Sequence, residues 1–309
     1  MARLRIGLIG WGTVGSALGR LVVAGPLPVD LACLAVRDPR RERSVSLPDG
    51  VPFVAPQEVA TADLDAVVEL AGGLGEPLVW ANTVLRRGVA LVTANKALLA
   101  NHGIELARIA REHGTALLAS ASVGGGVPMI ETVTHLAATG GIARLRGVLN
   151  ATTTYILTAM GDGRTYGEAL HEAQQAGYAE ADPAFDVDGQ DAAQKLSILA
   201  SLAWNSWRGE DDVSSHGIRG LQVAEGRVVR LVAEATEERL SIGPADLEPD
   251  DALSRTTGVE NVLEIEVRAA GTFRVSGPGA GGRVTAGAVY ADLARLVAGD
   301  RPILFGSLA

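Results

Sequence analysis

The first 135 residues alternate short apolar runs, typical of buried strands, with segments whose apolar residues recur at helical spacing. Strands that alternate with helices in this way form a parallel sheet with helices on both faces. This part of the sequence therefore predicts an α/β fold with a doubly wound parallel sheet. Its predicted strands are "LRIGLIG" (4–10), "LACLAV" (31–36), "AVVEL" (66–70), "ALVTA" (90–94) and "ALLAS" (116–120).

A glycine motif follows the first of these strands. Residues 10–15 have the pattern G-x-G-x-x-G and open a predicted helix, as in Rossmann-type dinucleotide-binding domains. In that motif the first glycine permits a tight turn, the second lets a pyrophosphate approach the backbone, and the third lets helix and strand pack closely. The alternative is a turn used only for packing. We predict a dinucleotide site formed by Gly10, Trp11, Gly12, Thr13, Val14 and Gly15.

The choice between nicotinamide cofactors depends on the end of the second predicted strand. A site for NAD usually has an acidic residue there, which binds the ribose 2′-hydroxyl. Here Arg37 comes first, and a guanidinium matches the oxygens of the 2′-phosphate of NADP. Asp38 leaves NAD open, and the alternative role of the arginines is a solvated loop. We therefore favour NADP, with further arginines at Arg40, Arg41 and Arg43.

Composition excludes several classes of protein. The chain has 309 residues, 47% apolar and 20% charged, as in folded globular proteins. Its net charge of −9 argues against a nucleic-acid-binding protein, because phosphate contacts need a basic surface. The sequence has no run of about 18 apolar residues to predict a membrane span and no recognisable signal peptide. Because Cys33 is the only cysteine, no internal disulfide can form, and we expect a cytoplasmic protein.

The character of the sequence changes after residue 135. A helix is predicted from about Pro128 to Ala138 and a long apolar helix over 190–204, and residues 217–275 alternate like antiparallel strands. These features predict a second, α+β domain with a mixed sheet. A glycine turn and a final helix follow it. We therefore divide the chain into residues 1–135, 136–278 and 279–309.

The stretch 172–195 is unusually acidic. Asp191 and Lys195 are four residues apart on the predicted helix and so share one face. On an exposed surface they would form an ordinary ion pair worth about 0.3–0.5 kcal/mol. The rest of the helix is apolar, which places Lys195 at the edge of a core and favours a functional role. A second isolated lysine, Lys96, follows the fourth predicted strand. The acids before Lys195 are Glu172, Glu180, Asp182, Asp186, Asp188 and Asp191.

The same stretch resembles the signature of homoserine dehydrogenases. The match follows A-x3-G-Y-x3-D-P-x2-D-V-x-G-x-D-x3-K from Ala173 to Lys195. The resemblance implies reversible reduction of L-aspartate 4-semialdehyde to L-homoserine with NADPH or NADH, in threonine and methionine biosynthesis, and it implies a homodimer. It runs from about residue 5 to 297, in segments similar to those of the family and in the same order: "VVELAGG", "VTANKALLA", "SVGGGVP", "GVLNATTTYIL" and "GPGAGGRVTAGAVYADL".

Matched by position, residues of this chain take the catalytic roles of the family. Lys195 corresponds to the proton donor and acceptor, with Asp191 beside it, and Lys96 corresponds to the lysine beside nicotinamide and substrate. Glu180 corresponds to the residue that binds the substrate amino group, with Asp186 and Asp191 close by. Hydride transfer to an aldehyde leaves an alkoxide, which a nearby ammonium can stabilise and protonate.

Other matched positions concern the cofactor and a cation. Gly281 corresponds to a glycine near the cofactor, which implies that the C-terminal helix returns to the first domain. The resemblance also implies a site for sodium or another monovalent cation, with backbone carbonyls from Val123, Gly125 and Val127. Ser120 stands where the family commonly has a glutamate that helps to bind this cation, which argues against sodium binding.

The chain departs from the family pattern elsewhere. Ala151 and Thr154 replace a glycine and an asparagine at the floor of the substrate site, and Gln194 replaces a histidine beside Lys195. The methyl group of Ala151 is expected to change substrate affinity. Many relatives carry a C-terminal regulatory domain, whereas this sequence ends at Ala309, so we expect little inhibition by threonine.

Three other functions compete with this one. A phosphorylating semialdehyde dehydrogenase needs a nucleophilic cysteine, but Cys33 is mid-strand, where a buried, inert thiol is expected. An amino-acid dehydrogenase that forms an imine lacks the signature match. A non-catalytic nicotinamide-binding sensor would explain the replacements at 120, 151 and 154. The residues that speak against such a sensor are Lys96, Glu180, Asp191 and Lys195.

Overall fold

The structure, a computed structural model, describes residues 3–36 and 50–308. The chain divides into two units, the first formed by Met1–Gly126 with Gly281–Ala309 and the second by Val127–Ala280. Among the described residues, no helix combines the length and the apolar character that crossing a membrane requires.

The first unit is built on a five-stranded sheet in the order β2-β1-β3-β4-β5, and every pair in it is parallel. This confirms the predicted doubly wound sheet. The inner strands are buried on both faces, which explains why they read as continuous apolar runs. The strands are β1 (Leu4–Ile9), β2 (Val29–Ala35), β3 (Ala66–Glu69), β4 (Ala90–Thr93) and β5 (Leu117–Leu118). Its first four helices are α1 (Thr13–Ala24), α2 (Pro56–Thr61), α3 (Gly75–Arg86) and α4 (Lys96–Glu112).

The second unit contains a six-stranded sheet in the order β11-β10-β6-β8-β9-β7. Only the pair of β7 and β9 is parallel, so the predicted mixed sheet is confirmed. Its strands are β6 (Ile142–Val148), β7 (Val213–Ser215), β8 (Val229–Ala235), β9 (Leu240–Asp246), β10 (Glu260–Val267) and β11 (Gly271–Pro278). Its helices are α5 (Met129–Gly140), α6 (Ala151–Gly161), α7 (Tyr166–Gln175), α8 (Ala184–Val187) and α9 (Gln190–Trp204).

Helix α9 lies at the centre of the second unit. It packs against α5 on one side and against β8 and β9 on the other, so most of its residues are buried. Gly189 precedes it in a left-handed conformation with φ 86°, and Asn205 ends it with φ 49°. The helix spans the residues that the sequence predicts, and its first two turns present Asp191 and Lys195 to the residues that follow β6.

The last helix, α10 (Gly282–Val297), packs against α1 within the first unit. The division between the units comes at Gly126 and Val127, whereas the sequence prediction placed a change at 135. The physical reason is α5, which packs against α9 and therefore lies wholly in the second unit.

Candidate active site

The glycine motif lies at the carboxyl end of β1, where the strand order reverses between β1 and β3. Gly10 has φ 109°, and a Cβ on it would lie 2.8 Å from the carbonyl of Leu70. A Cβ on Gly15 would lie 3.0 Å from the carbonyl carbon of Gly10, whereas one on Gly12 would meet nothing within 4 Å. Packing therefore requires glycine at positions 10 and 15, and Gly12 leaves open space at the start of α1.

The start of α1 fits an anion. Gly12 is its N-cap and has no side chain to bind the first N–H groups, and no acidic residue occupies the first turn. Uncapped N–H groups and the helix dipole together favour a pyrophosphate. Thr13 is exposed beside this space and Val14 is half-buried. The Trp11 side chain packs against Gly19 of α1, so we assign only its backbone to the cofactor.

Gly281 lies beside the glycine motif. It is the N-cap of α10 with φ 127°, and a Cβ on the next residue, Gly282, would lie 2.7 Å from the carbonyl oxygen of Thr13. The starts of α10 and α1 are therefore neighbours within the first unit. Arg37 and Asp38 lie outside the described residues, so the preference for NADP over NAD stays a prediction.

Gly12→Asp will weaken dinucleotide binding without unfolding the protein. The aspartate would cap α1 and interact favourably with its dipole, but it would place a negative charge where the pyrophosphate is expected. We expect the Kd of NADPH to rise about 30-fold, which is about 2 kcal/mol. Isothermal titration calorimetry and thermal unfolding will measure the two effects. Gly15→Ala is the matched control, because its Cβ would clash with Gly10 and lower Tm. Unchanged NADPH affinity in Gly12→Asp would contradict this placement of the phosphates.

A buried glutamate organises the loops that follow β3 and β4. Glu69 is 1% exposed, and its Oε1 accepts hydrogen bonds from the N–H groups of Ala71 and Gly72 at 2.8 and 3.0 Å. Its Oε2 accepts one from the Thr93 hydroxyl at 2.7 Å. Thr93 Oγ1 in turn accepts from the N–H of Asn95 at 3.0 Å. One side chain therefore fixes both loops at the carboxyl edge of the sheet.

Lys96 is placed by this network. Asn95 caps α4, since its Oδ1 accepts from the N–H of Leu98 at 3.1 Å, and its Nδ2 donates to the Gly73 carbonyl at 2.7 Å. Lys96 is consequently the first residue of α4 and is half-buried at the same edge. A cation at a helix N-terminus opposes the helix dipole. Its position therefore favours a role in ligand binding over a role in helix stability.

Lys195 and Asp191 form a largely buried ion pair on α9. Their side chains are 12% and 8% exposed, and Lys195 Nζ lies 2.7 Å from Asp191 Oδ2. The same Nζ donates to the carbonyl of Leu149, just beyond β6, at 2.7 Å. An ammonium has three N–H donors, so one remains for a ligand. Burial distinguishes this pair from an ordinary ion pair on an exposed helix face.

Asn150 lies between two carboxylates. Its Nδ2 donates to Asp186 Oδ1 at 2.6 Å and to Asp191 Oδ2 at 2.8 Å. Its Oδ1 accepts from the N–H of Thr153 at 2.8 Å, so the same side chain caps α6. Asn150 is 3% exposed. The structure thus brings two of the predicted acids together with Lys195 through an asparagine.

Asp186 is the titratable member of this cluster. Burial raises the pKa of its carboxyl group, and the charge of Asp191 raises it further. The hydrogen bonds from Asn150 and Thr152 act in the opposite direction and lower the pKa, but the net shift is upward. Thr152 Oγ1 lies 2.8 Å from the carbonyl of Tyr178 and 3.1 Å from Asp186 Oδ2. A hydroxyl has one proton to donate. The Thr152 hydroxyl therefore shares its proton between the Tyr178 carbonyl and the Asp186 carboxylate.

Glu180 is placed differently from the other predicted acids. It lies in an exposed loop between α7 and α8, and its carboxylate makes no hydrogen bond or ion pair with the part of the chain that the structure describes. It is therefore open to a ligand cation but is not bonded to the buried cluster. Asp188 pairs with Arg219 at 2.8 Å and Glu172 with Arg164 at 3.0 Å, as solvated surface acids do.

Ser120 begins a short 3-10 turn and is bonded to a buried carboxylate. Its Oγ donates to Asp292 Oδ1 at 2.6 Å and its N–H donates to Oδ2 at 3.0 Å. Asp292 of α10 is 1% exposed. Val123 and Gly125 are buried in the first unit, and Val127 belongs to the second. No group of three or more His, Cys, Asp or Glu side chains that could hold a metal occurs within residues 3–36 and 50–308. Binding of a cation by backbone carbonyls stays a prediction.

The three other departures from the family pattern have local partners. Gln194 Nε2 donates to Glu210 Oε2 at 2.9 Å. Thr154 is fully buried, and its Oγ1 donates to the carbonyl of Asn150 at 2.9 Å. Ala151 is the first residue of α6 and is half-buried. None of the three adds a charge to the cluster around Lys195.

Three residues of these networks were not predicted from the sequence. Asn150 directly precedes a helical segment, which is a signal for an N-cap. Glu69 is a lone acid in the apolar run "AVVEL", and a buried acid needs partners. Asp292 gave no such signal, because its partner Ser120 is 172 residues away in the chain.

Two family models match the chain. The model for homoserine dehydrogenase matches residues 128–294, and that for the homoserine dehydrogenase NAD binding domain matches residues 10–120. The homoserine dehydrogenase of Synechocystis sp. is 36% identical over 95% of this chain and 73% of its own length. That of Corynebacterium glutamicum is 35% identical over 93% of this chain and 70% of its own length.

Solved structures show the same relationship. A homoserine dehydrogenase from Thiobacillus denitrificans superposes with a TM-score of 0.93 at 29% identity, covering 100% of this chain and 79% of that one. A hyperthermophilic archaeal homoserine dehydrogenase in complex with NADPH gives a TM-score of 0.86 at 28% identity, covering 98% and 99%. The resemblance inferred from the sequence is confirmed. This chain belongs to the homoserine dehydrogenase family.

Proposed function

We propose that Lys195 transfers the proton in the reversible, NAD(P)H-dependent reduction of L-aspartate 4-semialdehyde to L-homoserine. That reaction is the activity of the family to which the chain belongs, and the chain is an NAD(P)-dependent oxidoreductase. One observation carries the role of Lys195. Its part-buried ammonium is anchored by Asp191 and the Leu149 carbonyl, which leaves one N–H for the substrate.

The chemistry follows from this anchoring. The bound nicotinamide supplies the hydride in reduction and accepts it in oxidation. A hydride that reaches the aldehyde carbon leaves an alkoxide, and the third N–H of Lys195 would stabilise that oxygen and then protonate it. Asp191 holds the ammonium in position through the 2.7 Å ion pair. In the oxidation of homoserine, the neutral amine of Lys195 would accept the hydroxyl proton.

The substrate is an α-amino acid, so its two charged groups need partners. Glu180 is exposed and unpaired within the described residues, which supports its role in binding the substrate ammonium. Asp186 and Asp191 lie in the buried cluster and would add negative potential to that site. We assign Lys96 to the substrate carboxylate and the cofactor, because it lies at the carboxyl edge of the parallel sheet.

The cofactor preference and the assembly are further parts of the proposal. NADPH is supported by Arg37 in the sequence and by the archaeal homoserine dehydrogenase that was solved with NADPH. A homodimer is supported by β11, an exposed edge strand of eight residues, because such edges pair with other chains. A reducing, cytoplasmic location agrees with a lone cysteine.

Cys33 argues against the phosphorylating alternative. It is buried within β2, and burial raises the pKa of its thiol. The thiolate is the nucleophile that forms a thioester, so the chain's one cysteine is poorly suited to that chemistry. A reaction without a covalent intermediate on sulfur is therefore favoured.

Spectrophotometry of the purified protein tests the function. We expect oxidation of L-homoserine at alkaline pH with NADP⁺, a slower rate with NAD⁺, and reduction of the semialdehyde in the reverse direction. Ammonia release from an amino acid would instead support an imine-forming dehydrogenase. Binding of both cofactors without turnover would support the sensor.

A further inference from the structure

Glu69 carries a charge that the proposed mechanism does not use. It is 1% exposed, and no lysine, arginine or histidine pairs with it within the described ranges. Its partners are two backbone N–H groups and the hydroxyl of Thr93. That hydroxyl oxygen already accepts from Asn95 and has no other acceptor nearby in the described structure, so its proton goes to Glu69. The carboxylate of Glu69 therefore accepts its hydrogen bonds from neutral donors, and no cationic side chain of the described residues pairs with it.

Glu69 lies where a dinucleotide is expected to cross the sheet. The turn that it holds packs against the glycine motif, since a Cβ on Gly10 would lie 2.8 Å from the Leu70 carbonyl and 3.1 Å from the Ala71 nitrogen. In a doubly wound sheet the dinucleotide crosses the carboxyl edge at the reversal of strand order. With the adenosine half over β1 and β2, as expected for this fold, the nicotinamide half would lie over β3 and β4, which carry Glu69 and Thr93.

We propose that Glu69 sets the preference between oxidised and reduced cofactor by placing a buried negative charge beneath the nicotinamide half of the site. The oxidised ring carries one positive charge more than the reduced ring, so a fixed carboxylate stabilises the oxidised form selectively. Such a charge acts over several ångströms where water is excluded, because the local dielectric constant is low. The inference rests on the proposed use of a nicotinamide cofactor.

The consequence concerns the direction of hydride transfer. A group that stabilises the bound oxidised form makes the bound reduced form a stronger hydride donor. Glu69 would therefore favour reduction of the aldehyde on the enzyme without touching the substrate. The buried carboxylate is a positioning and electrostatic group, and the proton transfer remains with Lys195.

Glu69→Gln tests the proposal, because it removes the charge and keeps the size. The amide oxygen can still accept from Ala71 and Gly72, and the amide nitrogen can donate to Thr93 Oγ1. Isothermal titration calorimetry will give the Kd values of NADP⁺ and NADPH for both proteins. We expect the ratio of the Kd of NADP⁺ to that of NADPH to rise about tenfold in the variant. An unchanged ratio overturns the proposal.

Thr93→Val is the matched control, because it breaks the same network and keeps the charge. Its ratio of Kd values should equal that of the wild type, and a shift as large as in Glu69→Gln would show that loop position sets the ratio. Glu69→Asp serves if Glu69→Gln does not fold. It keeps the charge, so a changed ratio would also overturn the proposal and an unchanged one would support it.

The same titrations separate this inference from the proposed function. A wild-type protein that binds neither NADP⁺ nor NADPH would refute the use of the cofactor and the role of Glu69 together. A wild-type protein that binds both and oxidises homoserine, with an unaltered ratio in Glu69→Gln, would refute the role of Glu69 alone.

Discussion

Replacing Lys195 with methionine will lower kcat for homoserine oxidation by about 1,000-fold or more, the range of a lost general acid–base group. Methionine keeps most of the volume of the lysine stem but has no N–H to donate, so the alkoxide loses its stabilising and protonating group. The Kd of NADPH should stay close to that of the wild type, because Lys195 belongs to the second unit and the glycine motif to the first. Steady-state kinetics and calorimetry will measure the two quantities.

The control for this variant concerns stability. Without Lys195, the buried Asp191 loses the ammonium that pairs with it, which costs about 3–5 kcal/mol in the free energy of unfolding. Changing Asp191 to asparagine in the same chain removes that charge. The Lys195→Met, Asp191→Asn double variant should therefore regain stability but not activity. Turnover in either variant above about one tenth of the wild-type value would be inconsistent with general acid–base catalysis by Lys195.

Asn150→Ala is expected to lower the stability of the protein substantially. We expect the free energy of unfolding to fall by about 3 kcal/mol, of which about 1 kcal/mol is the lost cap of α6 and the rest the lost donor between Asp186 and Asp191. The loss should grow from acidic to neutral pH. Without the hydrogen bond from Asn150, the pKa of Asp186 rises further. A carboxyl group whose pKa is raised in the folded state loses stability as pH rises through that range.

Urea unfolding at mildly acidic and at neutral pH will measure this dependence. Asn150→Asp is the matched control, because aspartate caps a helix as well as asparagine does but cannot donate to Asp186 or Asp191. It should be less stable than Asn150→Ala at neutral pH and should recover in acid. Wild-type stability of Asn150→Asp at neutral pH would show that the bridge contributes nothing.

The parallel sheet could be predicted closely from sequence, because strands buried on both faces form plain apolar runs. The predicted strand 66–70 and the observed β3 differ by one residue. The prediction of the last strand was less accurate. Of the predicted residues 116–120, only Leu117–Leu118 pair in the sheet, and the chain then turns at Ser120. The short helix Pro56–Thr61 has too few residues for a periodic pattern and was not predicted.

The candidate site was predictable only where its residues are neighbours in sequence. Asp191 and Lys195 are four apart on one helix, so their spacing alone brings them together. The Leu149 carbonyl that binds Lys195 is 46 residues away, and its position depends on where β6 ends against β10. Asn150 depends on the same contact between distant segments. Local spacing cannot reveal such partners, and the family resemblance did not name them.

The Asn150 side chain connects the start of α6 to the carboxylates of Asp186 and Asp191. The Asn150 side chain caps α6 and also donates to Asp186 and Asp191. Fraying of the first turn of α6 would therefore also break the hydrogen bonds to these two carboxylates. Melting of that helix end would therefore remove the donor that Asp186 and Asp191 share. Loss of turnover on gentle heating would report the opening of this one turn before the rest of the chain unravels.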